Sequence, residues 1–174
     1  VKIFYGCIPT SPSPLGFSNE ESIETTIENY LGTANVLRNG QVTQIQNLSD
    51  KENVSFDAPT GTLEAFITGE GTSTAPWTYE GRVRSYVYKT LRHPGHFDKF
   101  MVFRQLGLLE VTPVPVDGSA VVPRRLFLSL LKSGASRLGG MTRVILRVTV
   151  RGELLGRLME VVYDLRETED PRTG

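Results

Sequence analysis

The chain has 174 residues, 39% of them hydrophobic and 22% charged, which fits one globular domain able to bury about two thirds of its unfolded surface. Nineteen basic residues offset nineteen acidic ones without a long like-charge run, which argues against a nucleic-acid backbone or an anionic membrane surface as partner. The single cysteine, Cys7, excludes an internal disulfide framework, and no apolar run approaches the length of a membrane span. A reducing, cytoplasmic setting is the simpler reading.

VKIFYG, from Val1, reads as a strand. A start without Met directly in a strand, and a polar end in RETEDPRTG, lead us to expect a segment of a longer polypeptide. Ser18 and Glu21 form a capping box, and Ile23, Ile27, Tyr30 and Leu31 then recur at helical spacing until Gly32, which predicts a helix over 19–31. Asn39-Gly40 between two alternating runs predicts a hairpin over 35–46. After the strand-like TLEAFI comes TGEGTSTAPWTYEG, in which Gly69, Gly71 and Thr74 take the places of the three glycines of a dinucleotide-binding turn. That turn works only between a strand and an immediately following helix. Here the third glycine is Thr74, and Pro76 and then a fresh strand are expected to follow, so the letters match without the context.

GRVRSYVYKTLRH alternates with period two. Val83, Val87 and Leu91 share one face and Arg82, Arg84, Tyr86, Tyr88 and Arg92 the other, which predicts a strand with one core face. Pro94-Gly95 ends it, and Phe97, Phe100, Met101 and Leu106 mark a helix closed by Gly107. Pro123, ahead of Leu126, Phe127, Leu130 and Leu131, predicts a second amphipathic helix to about Gly134. TRVILRVTV and LLGRLMEVVYDL, separated by Arg151-Gly152, predict a long hairpin. Its first strand sets Val144, Leu146, Val148 and Val150 on one face, and its second sets Leu155, Met159, Val161 and Tyr163 on one face. Strands joined by hairpins, without regular alternation with helices, predict an α+β fold with a mixed, mainly antiparallel sheet and helices packed on one face.

Two stretches carry candidate chemistry. The 68–81 loop offers the hydroxyls of Thr72, Ser73, Thr74, Thr78 and Tyr79 beside Trp77, a set suited to a small polar ligand. Composition alone favours an ordinary connection with Trp77 plugged into the core. In KTLRHPGH, Arg92 can clamp a carboxylate with two donors, and Lys89, His93 and His96 can exchange protons near neutral pH. Alternation sets Arg92 opposite Lys89, Leu91 and His93 unless the Pro94-Gly95 turn re-aims them. A strand-end arginine in a surface ion pair and a His96 that merely starts a helix form the alternative. Cys7 has no neighbouring His or second Cys for a metal.

YKTLRHPGHFDKFMVFRQLGLL, preceded by GTLEAFITGEGTSTAPWTYEGRVRS and PLGFSNEESIETTIENYLGTANVLRNGQV, resembles the substrate domain of the saccharopine dehydrogenase-like family, which includes the lysine 6-dehydrogenases. The likeness runs from about Tyr5 to Leu109 and resumes at DLRETEDPRTG; the family's paired glycines in the first strand correspond here to Gly6-Cys7. The resemblance implies that residues 1–174 are one substrate-binding and dimerisation domain of a larger two-domain amino-acid dehydrogenase. NAD or NADP would then bind in the full-length parent and not in this chain. It further implies a lysine- or saccharopine-like substrate, with Arg92 on its carboxylate, Ser73 and Thr74 on the second oxygen or the amine, Trp77 along the aliphatic stem and His96 accepting a proton.

The expected reaction is hydride transfer from the carbon bearing the amine. The alternatives are a related domain that has lost catalysis and binds a metabolite, or one used only for subunit assembly. A homodimer is expected through the 142–164 hairpin, by its edge or by a face carrying Ile145, Leu154 and Leu158.

Overall fold

The computed structural model describes residues 1–11, 15–16, 23–71, 74–135 and 141–168. In chain order its elements are β1 (Lys2–Pro9), α1 (Ile23–Asn29), β2 (Thr33–Arg38), β3 (Gln41–Gln46), β4 (Ser49–Ser55), β5 (Thr62–Ile67) and α2 (Ala75–Thr78). They continue with β6 (Val87–Arg92), α3 (His96–Gln105), β7 (Val114–Val116), β8 (Ser119–Val121), α4 (Pro123–Ala135), β9 (Thr142–Leu154) and β10 (Arg157–Thr168). Six strands form one sheet in the order β10-β9-β1-β6-β5-β4. All neighbours are antiparallel except β1 and β6, which run parallel with Tyr5 opposite Thr90. The α+β fold with a mainly antiparallel sheet is therefore present as the sequence predicts. No helix among the described residues is long and apolar enough to cross a membrane.

The sheet curls. Arg147 of β9 donates to the Ser55 carbonyl at 2.9 Å and lies 4.2 Å from the centre of the Phe56 ring, and Arg166 of β10 reaches Asp57 at 3.5 Å. The concave side encloses Phe4, Ile8, Val54, Phe56, Leu63, Ala65, Leu91 and Ile145. Gly6 belongs to this side because space requires it: a Cβ there would stand 2.7 Å from the Leu91 carbonyl oxygen. On the convex side α1, α3 and α4 bury Ile23, Ile27, Tyr30, Phe100, Phe127 and Leu131 against Phe66 of β5. Alternation along β5 and β6 thus sends Phe66, Thr90 and Arg92 to the helices and Ala65 and Leu91 to the concave core.

Several expectations are corrected. The strand expected across 81–93 is β6 alone, Val87–Arg92, and all of it beyond Val87 is buried, with its edges paired to β1 and β5 and its faces covered by the helices on one side and the concave core on the other. Before it, Tyr86 makes only an isolated bridge to Leu37. Pro76 does not lead directly into a strand but lies in the first turn of the four-residue helix α2. The long hairpin turns at Leu155-Gly156, where both residues have positive φ, and Arg151-Gly152 lies inside β9 opposite Glu160 and Met159. That register sets Val150 opposite Val161, Val148 opposite Tyr163 and Leu146 opposite Leu165, so the apolar residues align on one face. Ile145 is fully buried in the concave core and not on an exposed second face, while Leu154 and Leu158 point to opposite sides of the hairpin. The Ser18–Glu21 capping box lies outside the described residues.

Candidate functional site

Arg92 closes β6 on the convex side, beneath α1 and α3. Its guanidinium is buried, with the residue 7% exposed, yet no carboxylate among the described residues forms an ion pair with it. Nε–H donates to Tyr30 Oη at 3.1 Å and Nη1–H to the Leu91 carbonyl at 3.0 Å. Of the five N–H donors that arginine carries, Nη2 and one hydrogen of Nη1 remain uncommitted among the described residues. Burying a charge without an ion pair costs several kcal/mol, and a buried cation of this kind with donors to spare is a candidate for binding an anionic group.

Arg92 can only donate, so Tyr30 accepts from it and directs its own hydrogen to His96 Nε2, 2.9 Å away. His96 is 2% exposed and lies between aromatic rings, stacked on Phe100 at 4.4 Å and facing Phe66 at 6.2 Å. Its second ring nitrogen faces the Leu15–Gly16 backbone and takes part in a hydrogen bond with Leu15. Burial, followed by the Arg92 charge, holds the imidazole well below its usual pKa and therefore neutral. Burial likewise raises the Tyr30 phenol, with Arg92 opposing. Burial works against the Arg92 cation, but the Tyr30 oxygen and the Glu70 charge outweigh it and raise its pKa.

Glu64 of β5 sets the position of this relay. Its carboxylate accepts from the backbone N–H of Gly95, at 3.0 Å, and of Phe97. A buried anion thereby caps the first turn of α3. Gly95 adopts φ +86°, which lets the chain turn sharply enough to bring His96 back under β5.

Glu70 lies at the rim, half-buried. Its Oε1 accepts from Thr90 Oγ1 at 3.2 Å and its Oε2 from Asn29 Nδ2 at 3.3 Å, and the Thr90 and Thr68 hydroxyls are 2.6 Å apart. Gly71 lies against Tyr88 so closely that a Cβ would stand 2.3 Å from its ring. Tyr5 of β1 is 6.5 Å from Tyr88 between ring centres and is 36% exposed. Burial raises the Tyr88 and Tyr5 phenols. Arg92, Glu70 and the phenols of Tyr5, Tyr30 and Tyr88 therefore cluster on the convex face, close enough to influence one another electrostatically.

Of the residues singled out in the sequence, the structure brings Arg92 and His96 together, with Tyr30 between them. Alternation does place Arg92 opposite Lys89 and Leu91. Lys89 lies in the opposite core, bound to Glu52 at 2.7 Å and Asp50 at 3.3 Å, and His93 Nε2 binds the Pro9 carbonyl at 2.8 Å. Thr74 precedes α2 and is exposed, Trp77 is 52% exposed, and neither hydrogen-bonds or stacks with Arg92, Tyr30 or His96. Ser73 lies outside the described residues.

Tyr30, Glu64, Glu70, Thr90 and Tyr88 escaped the sequence reading. Tyr30 fits the apolar stripe of the helix predicted over 19–31, but α1 ends at Asn29 and Tyr30 stands just beyond it; only its hydroxyl hinted at more. Glu64, standing among apolar residues in TLEAFI, is the one visible anomaly, a carboxylate inside a buried strand.

The Gly69–Thr74 loop does not suit a dinucleotide. A single turn of helix, shorter than the dinucleotide motif requires, follows it, and Gly71 lies against the Tyr88 ring. A cleft of about 320 Å³ on the other side of the sheet, lined by Lys2, Val36, Arg38, Asp50, Glu52 and Lys89, has its acids and bases largely paired with each other.

Residues 2–172 match the model of the saccharopine dehydrogenase C-terminal domain. The fold is similar to that of apo saccharopine dehydrogenase (L-Glu forming) from Saccharomyces cerevisiae, with a TM-score of 0.66 at 12% sequence identity. The similarity covers 97% of this chain and 53% of that one, so the chain spans about half the length of that relative. At this identity the likeness is one of fold.

Proposed function

The chain belongs to the saccharopine dehydrogenase C-terminal domain family, and from that premise we propose that it is the substrate-binding and dimerisation domain of a nicotinamide-dependent amino-acid dehydrogenase. The observation that carries this reading is Arg92: a buried guanidinium with donors to spare and no acidic partner in an ion pair among the described residues. Such a group suits a substrate carboxylate, which would accept two parallel hydrogen bonds and neutralise the buried charge. The phenols of Tyr5 and Tyr88 offer walls for an aliphatic stem. His96 acts behind Tyr30, fixing the direction of its hydroxyl and so the plane of the guanidinium. In this reading the nicotinamide cofactor is held by another part of the parent protein, which agrees with the single helical turn that follows the loop after β5. This chain's share of the reaction is to hold and orient the substrate.

Measuring kcat/KM and melting temperature together in the full-length dehydrogenase tests the reading. Arg92→Ala removes a charge-assisted bond of about 2 to 3 kcal/mol, a loss of about thirtyfold to a hundredfold in kcat/KM, with cofactor affinity retained. Arg92→Lys recovers only part, since an ammonium lacks the planar fork. Unchanged kinetics with a lowered melting temperature would mean that Arg92 is structural.

A further inference from the structure

Glu70 is the counterpart of Arg92, a half-buried carboxylate with no ion-pair partner among the described residues. It is held in place by neutral donors, Asn29 from α1 and Thr90 from β6. Thr90 and Arg92 are two residues apart on one strand and face the same side, about 6.6 Å along the chain. The anion and the cation are thus pinned near each other but not paired, each by its own hydrogen bonds. An α-amino acid is the ligand whose charges run in the opposite order. Two hydrogen bonds of about 2.8 Å and the two bonds of about 1.5 Å between nitrogen and carboxyl carbon are commensurate with the two-residue step from Thr90, which holds Glu70, to Arg92.

We propose that Glu70 receives the α-ammonium of the substrate while Arg92 holds its α-carboxylate, which makes Glu70 the residue that distinguishes an α-amino acid from the same acid without its amine. This assignment rests on the carboxylate reading of Arg92. Glu70 is placed to act in this way because its two oxygens each accept one hydrogen bond among the described residues, leaving lone pairs for an ammonium. The Thr68 hydroxyl behind Thr90 supports it by keeping the Thr90 hydrogen directed at Glu70.

The test is calorimetric binding to the full-length dehydrogenase of two matched pairs, L-lysine with 6-aminohexanoate and L-glutamate with glutarate. The wild type is expected to prefer the α-amino member of the pair it binds. Glu70→Gln keeps an acceptor for Asn29 and a partner for Thr90 but loses the charge. It is expected to weaken the α-amino acid by about tenfold to a hundredfold and leave the deaminated acid unchanged. Glu70→Asp keeps the charge but retracts it, and is expected to lose less. Arg92→Gln is expected to weaken both members. If the Glu70 variants weaken both members alike, or neither, while Arg92→Gln still weakens both, Glu70 only anchors its loop and the inference is overturned with the carboxylate site intact. If Arg92→Gln changes neither, or none of the four acids binds, the underlying site is wrong and the inference falls with it.

Discussion

Arg92 and His96 are joined through a single atom: the Tyr30 hydroxyl oxygen lies 3.1 Å from Arg92 Nε and 2.9 Å from His96 Nε2. A strand, a helix and a helix-capping turn therefore meet at one phenol. The plane of the guanidinium depends on a hydrogen whose direction is set by a neutral imidazole.

Removing that oxygen should cost stability beyond the atom lost. In Tyr30→Phe the ring contacts with Phe66, Phe100 and His96 persist, but a buried N–H of Arg92 and a buried nitrogen of His96 lose their shared partner. Each orphaned group costs about 1 to 3 kcal/mol. Urea unfolding should show a lowered midpoint with an unchanged slope. A midpoint at the wild-type value would mean that the relay contributes nothing to folding.

The same imidazole makes stability depend on pH. Burial and Arg92 depress its pKa in the folded state well below the ordinary 6.5, so between those two values the unfolded chain binds the proton and the folded chain does not. Stability is complete above about pH 6.5 and falls as pH drops from there towards the folded pKa, by at most about 1.4 kcal/mol per pH unit. His96→Gln, which keeps a partner for Tyr30, should flatten that slope relative to wild type. Equal slopes for the two proteins would show that His96 is not buried as a neutral base.

Where one residue type had one plausible place, the sequence was legible. Asn39-Gly40 forms its turn with positive φ at both positions, Pro123 opens α4, and Gly107 follows α3. Arg92 and His96 stood out because neither belongs easily in a core. Partnership was not legible. Nothing in the spacing of Ile23, Ile27 and Tyr30 says that the last of these reaches across to a strand sixty-two residues later. Strand β4, SDKENVS, is mostly polar and shows no alternation, because its one buried residue, Val54, is enough to seat an edge strand. The turn of the long hairpin was misplaced because Arg-Gly looks more turn-like than Leu-Gly. Only the pairing of distant apolar residues decides between them.

The close approach of β1 to β6 can be tested at Gly6. A Cβ there would meet the Leu91 carbonyl oxygen at 2.7 Å and its Cβ at 2.8 Å, and backbone cannot swing aside as a flexible side chain can. Gly6→Ala should destabilise by about 3 kcal/mol. Gly118→Ala, in the turn between β7 and β8, has φ +79° and nothing within 4 Å, so its cost is only the left-handed strain of about 1 to 2 kcal/mol. Chemical unfolding of the two variants should rank them in that order, and the reverse order would place the parallel pairing elsewhere.

The proposed dimer is tested on the outer hairpin. β10 pairs only with β9 and is exposed along nearly its whole length, which leaves one edge without a partner strand among the described residues. On the side shared with the helices, Val150, Met159, Val161 and Tyr163 are 44%, 46%, 56% and 57% exposed and form one apolar surface by register. A second copy placed edge to edge would continue the sheet and cover that surface in one step, and a two-fold axis needs only this one patch. Leu158 lies on the opposite face, opposite Glu153. In the full-length parent protein, sedimentation should therefore show a dimer whose dissociation constant rises more than tenfold with Val161→Lys and stays within about twofold with Leu158→Lys. A monomeric wild type would remove the proposal, and so would a dimer weakened by Leu158→Lys but indifferent to Val161→Lys, since the contact would then lie on the other face of the hairpin.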